Sequence, residues 1–330
     1  MRGAIWILWF IVLSLLLAST SFAAVATHQT PGYRERPYRV FVPSSWRLES
    51  PAPVVLVFHG GGGDIDGIVR ATGMDATAEA KGFLAVYPSG TPARLGKFRT
   101  WNAGDCCGRA ADERVDDMAY VAAVIADLSK RYAVDRSRVY ATGHSNGAML
   151  AWRLACERPD LVAAIAPNSG AARLELLNCV KGPPVPALQF HGTADPCATY
   201  KSGPCGDCFG AFFRAHGIPL PEKKRMCVGA VEQTAQWAAR QGCKAKTRVT
   251  LKAGAVTCTE HLGCPSGAAV SLCTEEGAGH TWPGGSDDIA ACAKHPDGKT
   301  CQEWRAIVGP TNHDISANEM MWAFFTRYHR

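Results

Sequence analysis

No cysteine stands before Cys106 in this 330-residue chain, and no apolar run reaches the ~20 residues that a membrane-spanning helix needs. The first absence excludes lipid attachment at a cysteine near the N-terminus. The second argues against a membrane anchor, since the longest run, Ile5 to Ala18, falls short. Concentrated positive charge is also lacking. The formal charge is only +6, and basic residues cluster weakly, as at Lys223-Lys224-Arg225. A nucleic-acid binder would carry a basic stripe with aromatic or groove-reading context. The glycine run His59-Gly60-Gly61-Gly62-Gly63 lacks the lysine and hydroxyl that complete a phosphate-cradling G-x-x-x-x-G-K-[ST] loop. The spacing Cys205-x-x-Cys208 has no second C-x-x-C at zinc-ribbon distance, so structural bridging is expected there rather than metal. Internal repeats, low-complexity tracts and interdomain linkers are missing too.

What is present begins with a positive start (Arg2), the short apolar core and small residues from Ser19 to Ala26. This is the pattern of a secretory signal peptide, expected over residues 1–26, with a single domain over 27–330. The mature protein is expected to be soluble and either secreted or periplasmic. Fourteen cysteines fit such an oxidising compartment and allow up to seven disulfides. Their connectivity is not readable, because fourteen cysteines permit on the order of 10⁵ pairings. The adjacent Cys106 and Cys107 can bond to each other or to separate partners.

Apolar runs bounded by proline and glycine, Val54 to Phe58 and Phe83 to Tyr87, read as strands buried on both faces. Tyr38 to Pro43, Val162 to Ala166, Ala187 to Phe190 and Ala268 to Cys273 add further strands. Helical spacing covers Ile65 to Lys81, Val115 to Tyr132 and Val231 to Arg240, while Ser89 to Arg114 reads as loop. Ser316 to Glu319 is a capping-box start for a last helix, Met320 to Tyr328. Alternating strands and helices predict an α/β fold with a mostly parallel central sheet and helices on both faces. From Cys197 to Gly229 the pattern breaks into Gly, Pro and Cys with Phe209, Phe212 and Phe213. That stretch reads as a cap-like, disulfide-pinned insertion able to overhang a site.

The chemistry centres on Gly143-His144-Ser145-Asn146-Gly147, a G-x-S-x-G pentapeptide between the strand-like Arg138 to Thr142 and the helix-like Ala148 to Cys156. In that context it is a nucleophile elbow, a tight turn that exposes the serine hydroxyl and needs small residues two positions either side. A serine needs a histidine to take its proton and a carboxylate to orient the imidazole. In α/β hydrolases the order is Ser, then acid, then His, on loops after successive strands. Asp195 follows the strand ending at Phe190, and His280 follows the strand ending at Cys273. The rivals are weaker. His313 lies just before the terminal helix, Asp287 and Asp288 come after the histidine, and Asp116 and Asp117 suit a helix start. For the oxyanion hole the candidates are the backbone N–H of Asn146 with that of Gly61 or Gly62, which the sequence does not separate. Trp101, Trp282 and His144 are candidate substrate contacts, although either tryptophan could instead pack a loop.

These motifs, with Trp101-Asn102-Ala103-Gly104, Cys106-Cys107-Gly108 and Val115-Asp116-Asp117, resemble the secreted esterases that include polyhydroxybutyrate depolymerases and feruloyl esterases. The resemblance runs from about Tyr38 onward. It implies an α/β-hydrolase fold, a Ser145–Asp195–His280 triad, and disulfides Cys156–Cys179 and Cys243–Cys264. The insertion at 197–229 departs from the family pattern. The expected activity is hydrolysis of carboxylic esters through an acyl-enzyme, on small or oligomeric esters linked to polysaccharide or polyester. It needs no cofactor, metal or nucleic acid. A serine peptidase on the same fold and a catalytically silent binding protein are the alternatives.

Overall fold

The computed structural model describes residues 22–330 except 94, 95, 97, 219–224, 287 and 288; the side chain of Phe209 is likewise outside the description. Residues 1–21, Lys223, Lys224, Asp287 and Asp288 therefore lie outside the described residues. The chain opens with β1 (Ala24–Gln29), which takes in the last three residues of the expected signal peptide and pairs antiparallel with β2 (Pro37–Val42). Then come β3 (Ala52–Phe58), α1 (Ile65–Thr72), α2 (Met74–Lys81) and β4 (Leu84–Pro88). The single helix read over 65–81 is in fact two. Gly73 adopts φ 57° and its N–H caps α1 on the Val69 carbonyl, a left-handed turn that glycine takes without a Cβ penalty.

A short helix, α3 (Gly108–Asp112), interrupts the expected loop, and α4 (Asp117–Arg131) starts on Asp116, whose carboxylate accepts from Ala119 N at 2.9 Å. Next are β5 (Val134–His144), α5 (Asn146–Glu157), β6 (Ala164–Asn168) and β7 (Ala187–Gly192). The insertion holds β8 (Gly203–Pro204), α6 (Cys208–Ala215) and β9 (Met226–Cys227). The chain continues through α7 (Ala230–Arg240), β10 (Thr247–Ala253), β11 (Val256–His261) and β12 (Val270–Glu275). It closes with α8 (Ala290–Lys294), α9 (Lys299–Val308) and α10 (Ala317–Phe325).

Ten strands form one sheet in the order β1-β2-β4-β3-β5-β6-β7-β12-β11-β10. The six strands from β4 to β12 run parallel, and antiparallel pairs extend both edges. β3 is buried throughout, and its side chains alternate between two cores as the strand period requires. Val54, Leu56 and Phe58 face α4, α5 and α7, whereas Val55 and Val57 face α1, α2 and α10. No helix among the described residues is long and apolar enough to cross a membrane.

All fourteen cysteines are paired. Cys156–Cys179 and Cys243–Cys264 are the bridges that the family resemblance implies. Cys106 bonds to Cys107, Cys258 to Cys273 and Cys292 to Cys301. The C-x-x-C cysteines take separate partners, Cys205 with Cys227 and Cys208 with Cys197. The insertion leaves the sheet after β7 and reaches the loop after β4, where Arg225 Nη1 donates to the Asp105 carbonyl at 2.6 Å. Phe213 also stands edge-on to Phe98, 5.6 Å between ring centres. Both loops leave the end of the sheet at which β5 also ends, the end where Ser145 sits. Phe212 anchors it from behind, packing on Trp304 of α9.

Candidate active site

Only Ser145 separates β5 from α5, and it turns the chain at φ 55°, ψ −120°, a conformation that costs a non-glycine residue of order 1–3 kcal/mol. The flanking glycines make the turn possible. A Cβ on Gly147 would lie 2.3 Å from the Phe58 carbonyl oxygen, and one on Gly143 would lie 2.6 Å from the Gly147 carbonyl carbon. The serine N–H is held by the Asn168 carbonyl of β6 at 3.0 Å.

Asp195 and His280 stand on neighbouring loops that hydrogen bonds tie together. Thr193 N donates to Glu275 O at 2.9 Å, Ala194 N to Ala278 O at 3.0 Å, and Gly277 N to Thr193 Oγ1 at 2.9 Å. Both side chains are buried, and His280 Nδ1 donates to Asp195 Oδ2 at 2.8 Å. The other carboxylate oxygen, Oδ1, accepts from Cys197 N and Ala198 N, each at 2.8 Å. Burial alone would raise the Asp195 pKa, but the charge and hydrogen bond of His280, then His191 and the Ala198 N–H, outweigh it and hold the carboxyl below its ordinary range. An ionised Asp195 fixes the His280 proton on Nδ1 and leaves the lone pair on Nε2. The ring centre of His280 is 4.4 Å from that of His144, the residue before Ser145.

Three sequence expectations change here. Trp101 is wholly buried and donates its indole N–H to the His59 carbonyl at 2.8 Å, so no face is open to stack on a substrate. Trp282 is buried too, with its N–H on Asn318 Oδ1 at 2.9 Å. His144 is buried and packs on His280 while its Nδ1 accepts from Asn168 Nδ2 at 2.9 Å, so it buttresses the His280 ring instead of lining a substrate channel. Of the two candidate glycines, Gly62 gives its N–H to the Arg99 carbonyl at 2.7 Å, whereas Gly61 runs beside Asn146. Gly61 is therefore the glycine left to pair with Asn146.

Among the rivals, His313 is exposed beside a cavity of about 660 Å³ that Thr281, Ser286 and Arg305 also line. Asp117 points inward, ion-paired with Arg36 and accepting from Asn102 N at 2.6 Å. Asp195, His280 and Cys197 bring donor atoms within 4.8 Å of one another, but the Cys197 sulfur is bonded to Cys208, so the set offers a metal two donors instead of three.

Sequence reasoning missed two groups beside Asp195. His191, four residues before Asp195, is fully buried; its Nε2 donates to Ala198 O at 2.9 Å and lies 3.4 Å from Asp195 Oδ2. Burial pulls its pKa down, against the pull of Asp195 and of the Ala198 carbonyl. Glu275 ends β12 at 2% exposure, and burial, with the negative charge of Asp195, pushes its pKa up to about 8. Between the unfolded value of 4.5 and about 8, the folded chain keeps a proton that the unfolded chain releases. Stability from this group is thus complete below pH 4.5 and declines as pH rises to about 8, by up to ~1.4 kcal/mol per pH unit. Glu275→Gln abolishes that loss. In urea titrations its stability relative to wild type is expected to rise from pH 5 to pH 8, and a difference independent of pH would contradict this.

Residues 36–197 match the family model described as Esterase PHB depolymerase. "Putative esterase NocK" from Nocardia uniformis subsp. tsuyamanensis is 30% identical over 265 residues, covering 77% of this chain and 72% of that protein. Feruloyl esterase B from Piromyces equi is 26% identical over 241 residues, 72% of this chain but only 41% of that longer protein. Among solved structures, the acetyl xylan esterase from Aspergillus awamori superimposes with a TM-score of 0.56 at 16% identity, over 86% of this chain and 99% of that one, a likeness of fold. With a nucleophile elbow at the sheet edge and relatives of this kind, the chain belongs to the esterase PHB depolymerase family and is a carboxylic-ester hydrolase of the α/β-hydrolase fold.

Proposed function

We propose that the protein is an exported serine esterase that works through an acyl-enzyme on Ser145. His280 Nε2 takes the Ser145 proton as Oγ attacks the ester carbonyl, and Asp195 stabilises the imidazolium that forms. The N–H groups of Asn146 and Gly61 receive the oxyanion. Collapse of the intermediate expels the alcohol, protonated by His280, and a water activated by the same nitrogen then frees the acid. The observation that carries this reading is the 2.8 Å bond from His280 Nδ1 to a buried Asp195, beside an elbow serine. Export is supported by the apolar leader and by cysteines that are all paired, as an oxidising compartment allows.

The substrates are side-group esters on soluble or oligomeric material, of the kind found in plant cell walls. Support comes from relatives named feruloyl esterase B and bifunctional acetylxylan esterase/xylanase XynS20E, the latter from Neocallimastix patriciarum and 28% identical over 166 residues. The insertion, tied to the loop after β4 through Arg225 and Phe213, suits an ester that enters singly better than a flat polymer surface. The test compares methyl ferulate, acetylated xylan and soluble hydroxybutyrate oligomers with a crystalline polyhydroxybutyrate film. Saturable turnover of a soluble ester without clearing of the film is expected. Clearing of the film by an enzyme inert on the soluble esters would overturn the substrate assignment.

A further inference from the structure

The oxyanion hole has two halves on separate elements, the glycine turn after β3 and the first residue of α5. A third segment, residues 99–101, joins them. Arg99 O accepts from Gly62 N at 2.7 Å, and Trp101 Nε1 donates to His59 O at 2.8 Å, so the segment grips the glycine turn at both ends. On its other side, the Asn146 amide holds the Trp101 backbone by two bonds: Oδ1 accepts from Trp101 N at 2.7 Å and Nδ2 donates to Trp101 O at 3.1 Å.

The direction of the Gly61 N–H is fixed as well. His59 Nε2 accepts from Gly90 N at 3.0 Å, which leaves the ring proton on Nδ1 to donate to Gly60 O at 2.8 Å. Gly60 O and Gly61 N share one planar trans peptide, so holding the carbonyl aims the N–H the opposite way. Burial keeps His59 neutral, with its pKa lowered to about 4. The Trp101 ring lies 4.9 Å from the His59 ring and 5.4 Å from Phe58, with no exposed surface.

We propose that Trp101 and the side-chain amide of Asn146 are positioning residues, forming a splint that sets the separation of the Gly61 and Asn146 N–H donors. The proposal rests on the acyl-enzyme reading above. A splint acts on the transition state alone, because the donors must meet the developing oxyanion and not the ground-state carbonyl. A substrate platform would act on binding instead.

Trp101→Phe removes the indole N–H and keeps an aromatic ring; Asn146→Ala removes the clasp and keeps the backbone donor. Each is assayed for kcat, KM and inhibition by an alkyl trifluoromethyl ketone, which forms a tetrahedral oxyanion on the nucleophile. Circular dichroism establishes which variants fold, and either one alone suffices. Expected is a fall of about 10–100-fold in kcat, of the size that small displacements of catalytic groups produce. KM should stay within about twofold, and ketone affinity should fall in step with kcat/KM. A raised KM with kcat retained would overturn the splint and restore a substrate contact, and so would folded variants that match wild type. A wild-type enzyme indifferent to the ketone would instead overturn the acyl-enzyme reading beneath it.

Discussion

Ser145→Ala is expected to lower kcat on p-nitrophenyl acetate by about 10⁶-fold, the scale on which a serine nucleophile fails when its hydroxyl is lost. The rest of the machinery stays in place. The Asn146 and Gly61 donors and the His280–Asp195 pair do not depend on Oγ, so residual turnover of about 10³–10⁴ over water is expected to persist. The fold should survive, since alanine is smaller than serine and the glycines at 143 and 147 still admit the turn. The φ of 55° adds a control. Ser145→Gly relieves the strain that serine and alanine share, and it is expected to be more stable than Ser145→Ala by about 1 kcal/mol in urea titrations. Turnover above a tenth of wild type in folded Ser145→Ala would show that the nucleophile lies elsewhere.

Asp195→Asn is the second large effect, and the hydrogen bonds around the acid dictate why. Cys197 N and Ala198 N both donate to Oδ1, so an asparagine must place its carbonyl oxygen there. Its NH₂ group then faces His280 Nδ1, where a donor now meets a nitrogen that needs to donate. The imidazole shifts its proton to Nε2 and can no longer accept one from Ser145. A fall of about 10⁴-fold in kcat is expected, as when a triad acid becomes its amide. KM should change little, since Asp195 is buried. A loss below tenfold would remove Asp195 from the role of orienting acid.

The places of Ser145, Asp195 and His280 after the ends of β5, β7 and β12 were legible because largely apolar runs mark those strands, and strand ends are what a sequence marks best. The two core-facing sides of β3 were legible for the same reason. The hairpin of β10 and β11 was not, because β10 is largely exposed and carries Thr, Arg and Lys where a buried strand would be apolar. Its bridge Cys258–Cys273 joins residues directly opposite each other on β11 and β12, so it depends on a register that only pairing reveals. Trp101 and Gly62 show a different limit. Each belongs to a motif that points to the site, yet whether a side chain or an N–H faces substrate depends on which partner consumes it. Trp101 is consumed by His59 and Asn146, and Gly62 by Arg99. His191 carried a usable signal, since its place at the end of β7, four residues before Asp195, sets it just ahead of the loop that carries the carboxylate.

The most direct test of the account is reaction of the purified protein with a fluorophosphonate, followed by peptide mass spectrometry to locate the adduct. A single phosphonyl group on the peptide containing Ser145, absent from Ser145→Ala, is the predicted result. Stable modification of another residue, or no modification of a folded enzyme that still hydrolyses esters, would contradict it.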